Sequence, residues 1–224
     1  MAHIRLSDVV KTYRLGRTVV SALRAISLEV GQGAFVAVTG PSGSGKSTLL
    51  HLIGGLDHPD RGEIVIEGQR LSDLTPDALA KFRARRLGFV FQFFSLLPVL
   101  TAFENVEYPL LFQNLLPALR QSRVREALDR VGVAAYAHHR PDQLSGGQQQ
   151  RVAIARAMVV KPALILADEP TANLDSRTGQ AIIDLLEETR QQQGTTFLLA
   201  THDPGLVSRA DRVVALYDGQ IFEP

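Results

Sequence analysis

The sequence predicts an α/β protein: a mainly parallel sheet covered on both faces, preceded by an antiparallel β layer and interrupted by an inserted helical block. Three observations carry that prediction. Short apolar runs rich in strand formers stand at residues 34–38, 163–167 and 195–200, and strands buried on both faces have this unbroken apolar character. Helical patterns alternate with the runs, which places helices on both faces of one sheet. Residues 95–161, by contrast, carry helix patterns and no strand.

In chain order, residues 4–10 and 25–30 partly alternate apolar and polar side chains, as half-buried strands do, and the short turn-rich link between them predicts the antiparallel layer. Gly31-Gln32-Gly33 is a turn, residues 34–38 a buried strand ending near Gly40, and residues 48–53 a helix. Residues 64–66 form a strand between Gly62 and Gly68. Thr75 and Pro76 supply the N-cap and first position of a helix over 76–86, with a strand over 87–91 after it. The middle block carries helices at 102–111, 116–131 and 146–160. Strands at 163–167, 195–200 and 212–216 follow, with an amphipathic helix at 177–193 and a last short strand after the Asp218-Gly219 turn.

The 224 residues suffice for one large domain with an inserted subdomain, here about residues 95–161. A net charge of +1 argues against a broad nucleic-acid footprint, so no nucleic-acid partner is expected. The absence of cysteine excludes disulfides and thiolate metal sites. The N-terminus lacks the apolar core of a signal peptide. The most apolar stretch, residues 96–119, is broken by Pro98, Glu104, Glu107, Pro109 and Pro117, so no transmembrane span is expected. A cytoplasmic protein is the resulting expectation.

Gly40-Pro41-Ser42-Gly43-Ser44-Gly45-Lys46-Ser47-Thr48 fits the pattern G-x-x-x-x-G-K-[ST] over its first eight residues. Glycines let a backbone wrap closely enough for several N–H groups to face phosphate oxygens. The helix beginning near Lys46 adds the positive end of its dipole. Lys46 is placed for the β- and γ-phosphates, Ser47 for Mg²⁺ and Thr48 for the α-phosphate region. A chance glycine loop would not require the strand before it and the helix after it.

Asp168-Glu169 closes the strand at 163–167, where parallel sheets place ligands. Asp168 would hold Mg²⁺ through water, and Glu169 would polarise an attacking water. The plainer reading is a polar turn. Leu144-Ser145-Gly146-Gly147-Gln148 opens another helix and presents a second anion site. One nucleotide does not need two such sites from one chain, so a composite site is expected: Ser145 to Gln148 of one copy covers the γ-phosphate held by the Lys46 loop of another. Helix capping by Ser145 is the alternative, and it leaves the paired glycines unexplained.

Together and in this order, residues 40–48, 144–148 and 163–170 resemble the nucleotide-binding subunits of ABC transporters. The resemblance covers essentially the whole chain. It implies a RecA-like P-loop NTPase core, ATP and Mg²⁺ as cofactors, and ATP hydrolysis by a homodimer. Gln92 is similar to the Q-loop glutamine, which contacts Mg²⁺ or water and borders the transmembrane partner. Asn173-Leu174-Asp175 resembles the D-loop at the dimer seam, His202 the switch histidine that senses the γ-phosphate, and Tyr13 the A-loop aromatic that stacks on adenine. Such stacking contributes about 1–3 kcal/mol and tolerates any base. Taken alone, Gln92 reads as a surface residue, His202 as structural and Tyr13 as packing. Arg83, Arg85, Arg86 and His138-His139-Arg140 read as solvated faces or caps and carry no assigned site.

Residues 87–98, 100–106 and 148–156 further resemble the MacB/LolD-type group, whose members work with FtsX-like permeases in lipoprotein release, efflux or mechanotransmission. That resemblance implies an FtsX-like transmembrane permease as partner and a peripheral position on the cytoplasmic face of the inner (cell) membrane. Residues 91–109 would receive the permease, with Phe93, Phe94, Leu96 and Leu97 as exposed apolar contacts; packing of the helical subdomain is the competing reading. Two other readings stand beside this one: the ATPase of a small-solute importer, and a non-transport ABC ATPase. Importer subunits often carry a C-terminal regulatory extension, and this sequence stops soon after its last strand. The two glycine motifs are too close for the long coiled coil of the repair-type ATPases.

Overall fold

The computed structural model describes residues 2–16 and 18–222. The first half contains β1 (Ala2–Leu15), β2 (Thr18–Gly31), β3 (Phe35–Thr39), α1 (Lys46–Ile53), β4 (Arg61–Ile66), β5 (Gln69–Arg70), α2 (Pro76–Arg86) and β6 (Leu87–Val90). There follow α3 (Ala102–Glu107), α4 (Pro117–Arg130), α5 (Gly146–Met158) and β7 (Leu164–Asp168). The chain ends with α6 (Ser176–Gln193), β8 (Thr196–Ala200), α7 (Pro204–Arg209), β9 (Arg212–Tyr217) and β10 (Gln220–Phe222).

The six-stranded sheet has the order β10-β9-β3-β8-β7-β6, parallel except for the β9–β10 edge. Its central strands are buried on both faces, because successive side chains point to opposite sides. Phe197 and Leu199 of β8 enter one core with Phe35, Ile165 and α6. Leu198 and Ala200 enter the other, with Val36, Val38, Leu164 and α1. That second core is closed by the antiparallel sheet, of order β2-β1-β4-β5.

The antiparallel layer is larger than the alternation predicts. β1 and β2 each run for 14 residues, and β4, the predicted strand at 64–66, joins them. Register shifts between Leu6 and Val9 and between Val9 and Lys11, with left-handed backbone at Asp8 (φ 49°) and Ala25 (φ 54°), break the two-residue period. An inserted residue flips the faces that follow it, which hides the strand from a pattern search.

The predicted helix at 102–111 is divided. α3 is nucleated by a capping box between Thr101 and Glu104 and stops at Glu107, and a 3₁₀ turn covers Tyr108–Phe112. Pro109 lacks the N–H and clashes with the turn before it, so the α-helix cannot continue. Asn105, fully buried, bonds Leu97 N and the carbonyls of Leu97, Leu100 and Thr101, pinning the segment before α3. α7 lies outside the sequence reading, although Asp203-Pro204 supplies its N-cap and first position. Among the described residues no helix is long and apolar enough to cross a membrane.

α5 packs directly on β6. A Cβ at Gly88 would stand 2.5 Å from the Ala157 carbonyl oxygen, so the two backbones touch with no side chain between. Gly88→Ala is expected to destabilise the chain by about 1–3 kcal/mol, measured from the midpoint of urea unfolding. An unchanged midpoint would show that the α5–β6 spacing is free to adjust.

Candidate active site

The carboxyl ends of β3, β7 and β8 open into a cleft of about 670 Å³. At its floor is the glycine loop between β3 and α1. A Cβ at Gly40 (φ 147°) would lie 2.0 Å from the Leu216 carbonyl oxygen, and one at Gly45 (φ 106°) 2.5 Å from that of Ala22. Only glycine meets both the backbone angle and the close approach. α1 begins at Gly45 with no side-chain cap, whereas α2, α3, α5 and α6 are capped by Thr75, Thr101, Ser145 and Asp175. Its first-turn N–H groups are thus left for a ligand. The Lys46 ammonium bends back to donate to the carbonyls of Gly40 at 2.7 Å and Pro41 at 3.0 Å. Pro41, Ser42, Gly43, Ser47 and Thr48 also line the cleft, while Ser44 lies buried beneath it, its Oγ without a partner among the described residues.

Ser47 Oγ donates to Asp168 Oδ2 at 2.5 Å, joining the loop to the end of β7. This is an all-oxygen donor pair of the kind hard cations take. Among the described residues no three His, Asp or Glu converge on one point. A cation here would draw its remaining ligands from phosphate and water, as Mg²⁺ does, so the residues present fit that ion.

Glu169 is left-handed (φ 49°), and its buried carboxylate has other partners than that of Asp168. Its N–H donates to the Ala200 carbonyl at 2.8 Å. Its carboxylate accepts from Thr201 Oγ1 at 3.3 Å and the His202 N–H at 3.4 Å, and lies 2.7 Å from His202 Nδ1. Gln92, exposed, lines the same cleft, and its carbonyl accepts from Asn173 Nδ2 at 3.4 Å.

Tyr13 also lines the cleft, beside Val20 and Ala22 of β2. Its hydroxyl donates to Asp57 Oδ2 at 2.8 Å. The Lys11 ammonium, 5.2 Å from the centre of the Tyr13 ring, donates to Asp57 Oδ1 at 2.9 Å and to the His58 carbonyl at 2.7 Å. Burial and the bond to Asp57 raise the Tyr13 phenol above its ordinary value.

The cleft therefore gathers Tyr13, the glycine loop, Gln92, Asp168, Glu169 and His202, and leaves Ser145, Gly146, Gly147, Gln148 and Asp175 outside. Ser145 Oγ accepts from the Gln148 N–H at 3.3 Å while Gln148 Oε1 accepts from the Ser145 N–H at 2.8 Å, so the capping role is present in full. Gly146 is exposed. Asp175 caps α6, and hydrogen bonds from Thr178 hold its carboxyl below the ordinary value. Of the four apolar residues expected at the surface after Gln92, Phe93 and Leu97 are exposed, but Phe94 and Leu96 are partly buried, and Leu96 packs on the helical core. Thr201, Lys11 and Asp57 escaped the sequence reading because their partners lie far away along the chain.

The sequence profile of the ABC transporter family matches residues 23–172. An uncharacterized ABC transporter ATP-binding protein of Thermotoga maritima is 49% identical over 218 residues, 97% of this chain and 93% of that protein. The chain belongs to the ATP-binding family of ABC transporters. It is an ABC-type ATP hydrolase with a P-loop fold. A second such ATP-binding protein, MJ0796 of Methanocaldococcus jannaschii, is 46% identical over 222 residues, 97% of this chain and 94% of that one. Two dimeric structures of MJ0796, one in a post-hydrolysis state bound to ADP and Pi, superpose with TM-scores of 0.94 and 0.95 at 45% identity, covering 98% of this chain and 97% of theirs.

One acid–base consequence belongs to the Tyr13 corner of this ABC ATPase. Against the desolvation of its partial burial, hydrogen bonds from Lys11, Tyr13 and the His58 N–H hold the Asp57 carboxyl below its ordinary value. An acid depressed on folding contributes stability above its unfolded value, near pH ~4, and loses it as the pH falls through the folded value. Asp57→Asn is expected to flatten the fall in stability below about pH 4, measured by acid unfolding. Equal slopes in parent and variant would separate Asp57 from this network.

Proposed function

We propose that two copies of this chain close around two Mg·ATP, each nucleotide held between the Lys46 loop of one copy and the Ser145–Gln148 end of α5 in the other. The observation that carries this reading is the separation, within one chain, of Ser145–Gln148 from the cleft that holds residues 40–48, Asp168 and Glu169. The dimeric form of MJ0796 supports it. Lys46 exchanges its loop carbonyls for the β- and γ-phosphates, Thr48 bonds near the α-phosphate, and Tyr13 stacks on the base. Ser47, Asp168 and Gln92 would hold Mg²⁺, which when bound supplies positive charge beside the phosphates. Glu169 takes the proton of the attacking water, with His202 holding its carboxylate and meeting the γ-phosphate. The Asp175 loop crosses the seam between copies.

The ATPase cycle drives a membrane permease, in our reading of the FtsX-like, MacB/LolD-type kind, from the cytoplasmic face of the inner membrane. A groove of about 460 Å³ between α2 and the 3₁₀ turn after α3, with Phe89, Phe91, Tyr108 and Phe112 on its walls, offers the permease a seat beside Gln92. Specificity for cargo then rests with the permease.

Glu169→Gln is expected to keep ATP affinity, lose about 10²–10⁴ in kcat and accumulate an ATP-bound dimer on size exclusion. Turnover at the parent rate would remove Glu169 as the base. Lys46→Ala is expected to weaken ATP binding about 10- to 100-fold by calorimetry, and unchanged affinity would sink the phosphate assignment. Glu169→Gln recovered with ATP from solubilised membranes should bring a permease with a large extracytoplasmic domain. Recovery of ribosomes or DNA would overturn the transport reading.

A further inference from the structure

Gln150 is a polar side chain in a place where an apolar one would pack as well. It lies on α5, two residues past Gln148, and is fully buried. Its Nε2 donates to the Pro170 carbonyl at 2.8 Å. Its Oε1 has no hydrogen-bond partner among the described residues. An acceptor buried unpaired is costly, and a leucine or methionine of similar volume would avoid it. The amide is therefore to be explained by the one bond it makes, and that bond ends on the residue next to Glu169.

The Glu169–Leu174 segment is held from two sides. From the sheet side, Glu169 is fixed by Ala200, Thr201 and His202, and Thr171 Oγ1 donates to Asp203 Oδ2 at 2.6 Å. From the α5 side, the segment receives the Gln150 amide at Pro170 and the close approach of Gly147, where a Cβ would stand 3.3 Å from the Asn173 carbonyl oxygen. Gly147 and Gln150 stand on the same end of one rigid helix. The left-handed backbone of Glu169 is a strained conformation that persists only where neighbours over-determine it.

We propose that Gln150 is a positioning residue for hydrolysis: its amide ties the Ser145–Gln148 end of α5 to the Glu169–Pro170 turn. A nucleotide engaged at that end of α5 is thereby linked to the setting of Glu169 in the same chain. This rests on the assignments of Glu169 as base and Ser145–Gln148 as the second half of the site.

The test compares Gln150→Leu, Gln150→Glu and Glu169→Gln in the 224-residue chain, with kcat, ATP affinity and thermal midpoint measured for each. Gln150→Leu removes the donor and the orphaned acceptor together. It is expected to keep the parent's ATP affinity and thermal midpoint and to lose about tenfold in kcat. Parent kcat at the parent midpoint overturns the proposal. Gln150→Glu decides the case in which the leucine variant loses stability as well. A buried glutamic acid has a raised pKa, and only its protonated form can donate to the Pro170 carbonyl. Its kcat relative to the parent should therefore fall as the pH rises from about 6 to 9, at temperatures where it stays folded. A flat ratio overturns the proposal. If Glu169→Gln turns over ATP at the parent rate, the underlying reading fails. If Glu169→Gln is inactive and the Gln150 variants behave as the parent, only the role of Gln150 fails.

Discussion

The parallel register of β3, β8 and β7 governs the site. Val38 pairs with Ala200, and Asp168 pairs with Ala200 from the other side, so three strand ends stop at one level. The glycine loop leaves the first, Asp168-Glu169 the second and Thr201-His202 the third. Each strand is apolar on both faces, so a slip of one residue would exchange two cores at once. The geometry of the cleft is thus protected by the hydrophobic pattern of strand residues that do not line it.

The N-terminal ends of the helices differ in how they are closed, and α4, entered from Leu116, has no side-chain cap. Most are closed by a hydroxyl or carboxylate of their own, and in α5 the cap is reciprocal between Ser145 and Gln148. α1 is left uncapped beneath a loop that glycine alone can trace, because Leu216 and Ala22 crowd it from behind. The difference is local and covalent in origin: a serine stands at one N-cap, a glycine at the other. It separates an end that is already satisfied from one that must find its partner outside the chain.

The parts of this arrangement that could be read from sequence are those whose cause is local. The glycine loop, Asp168-Glu169 and the motif at Ser145 each lie within a few consecutive residues, and the central strands announce themselves by unbroken apolar runs. The N-terminal ribbon was only partly legible, because left-handed residues at Asp8 and Ala25 shift its period. The 3₁₀ turn at Tyr108–Phe112 hid behind an apolar pattern that suits a helix equally well. The supports of the site were not legible at all. Tyr13 meets Asp57 across 44 residues, Thr201 meets Glu169 across 32, and Gln150 meets Pro170 across 20. Nothing in the spacing of such pairs distinguishes them before the chain is folded.

Arg156, further along α5, donates to the carbonyls of Phe94 and Ser95, two residues held in left-handed backbone just after Gln92. Burial pulls its guanidinium down to about 10, which still leaves it charged at neutral pH. A lysine here, with one ammonium in place of a planar guanidinium, could not span the two carbonyls with a rigid fork. At this point of the chain the genetic code's two long cations cease to be synonyms, and an exchange that surface positions tolerate becomes the loss of a clamp on two consecutive left-handed residues.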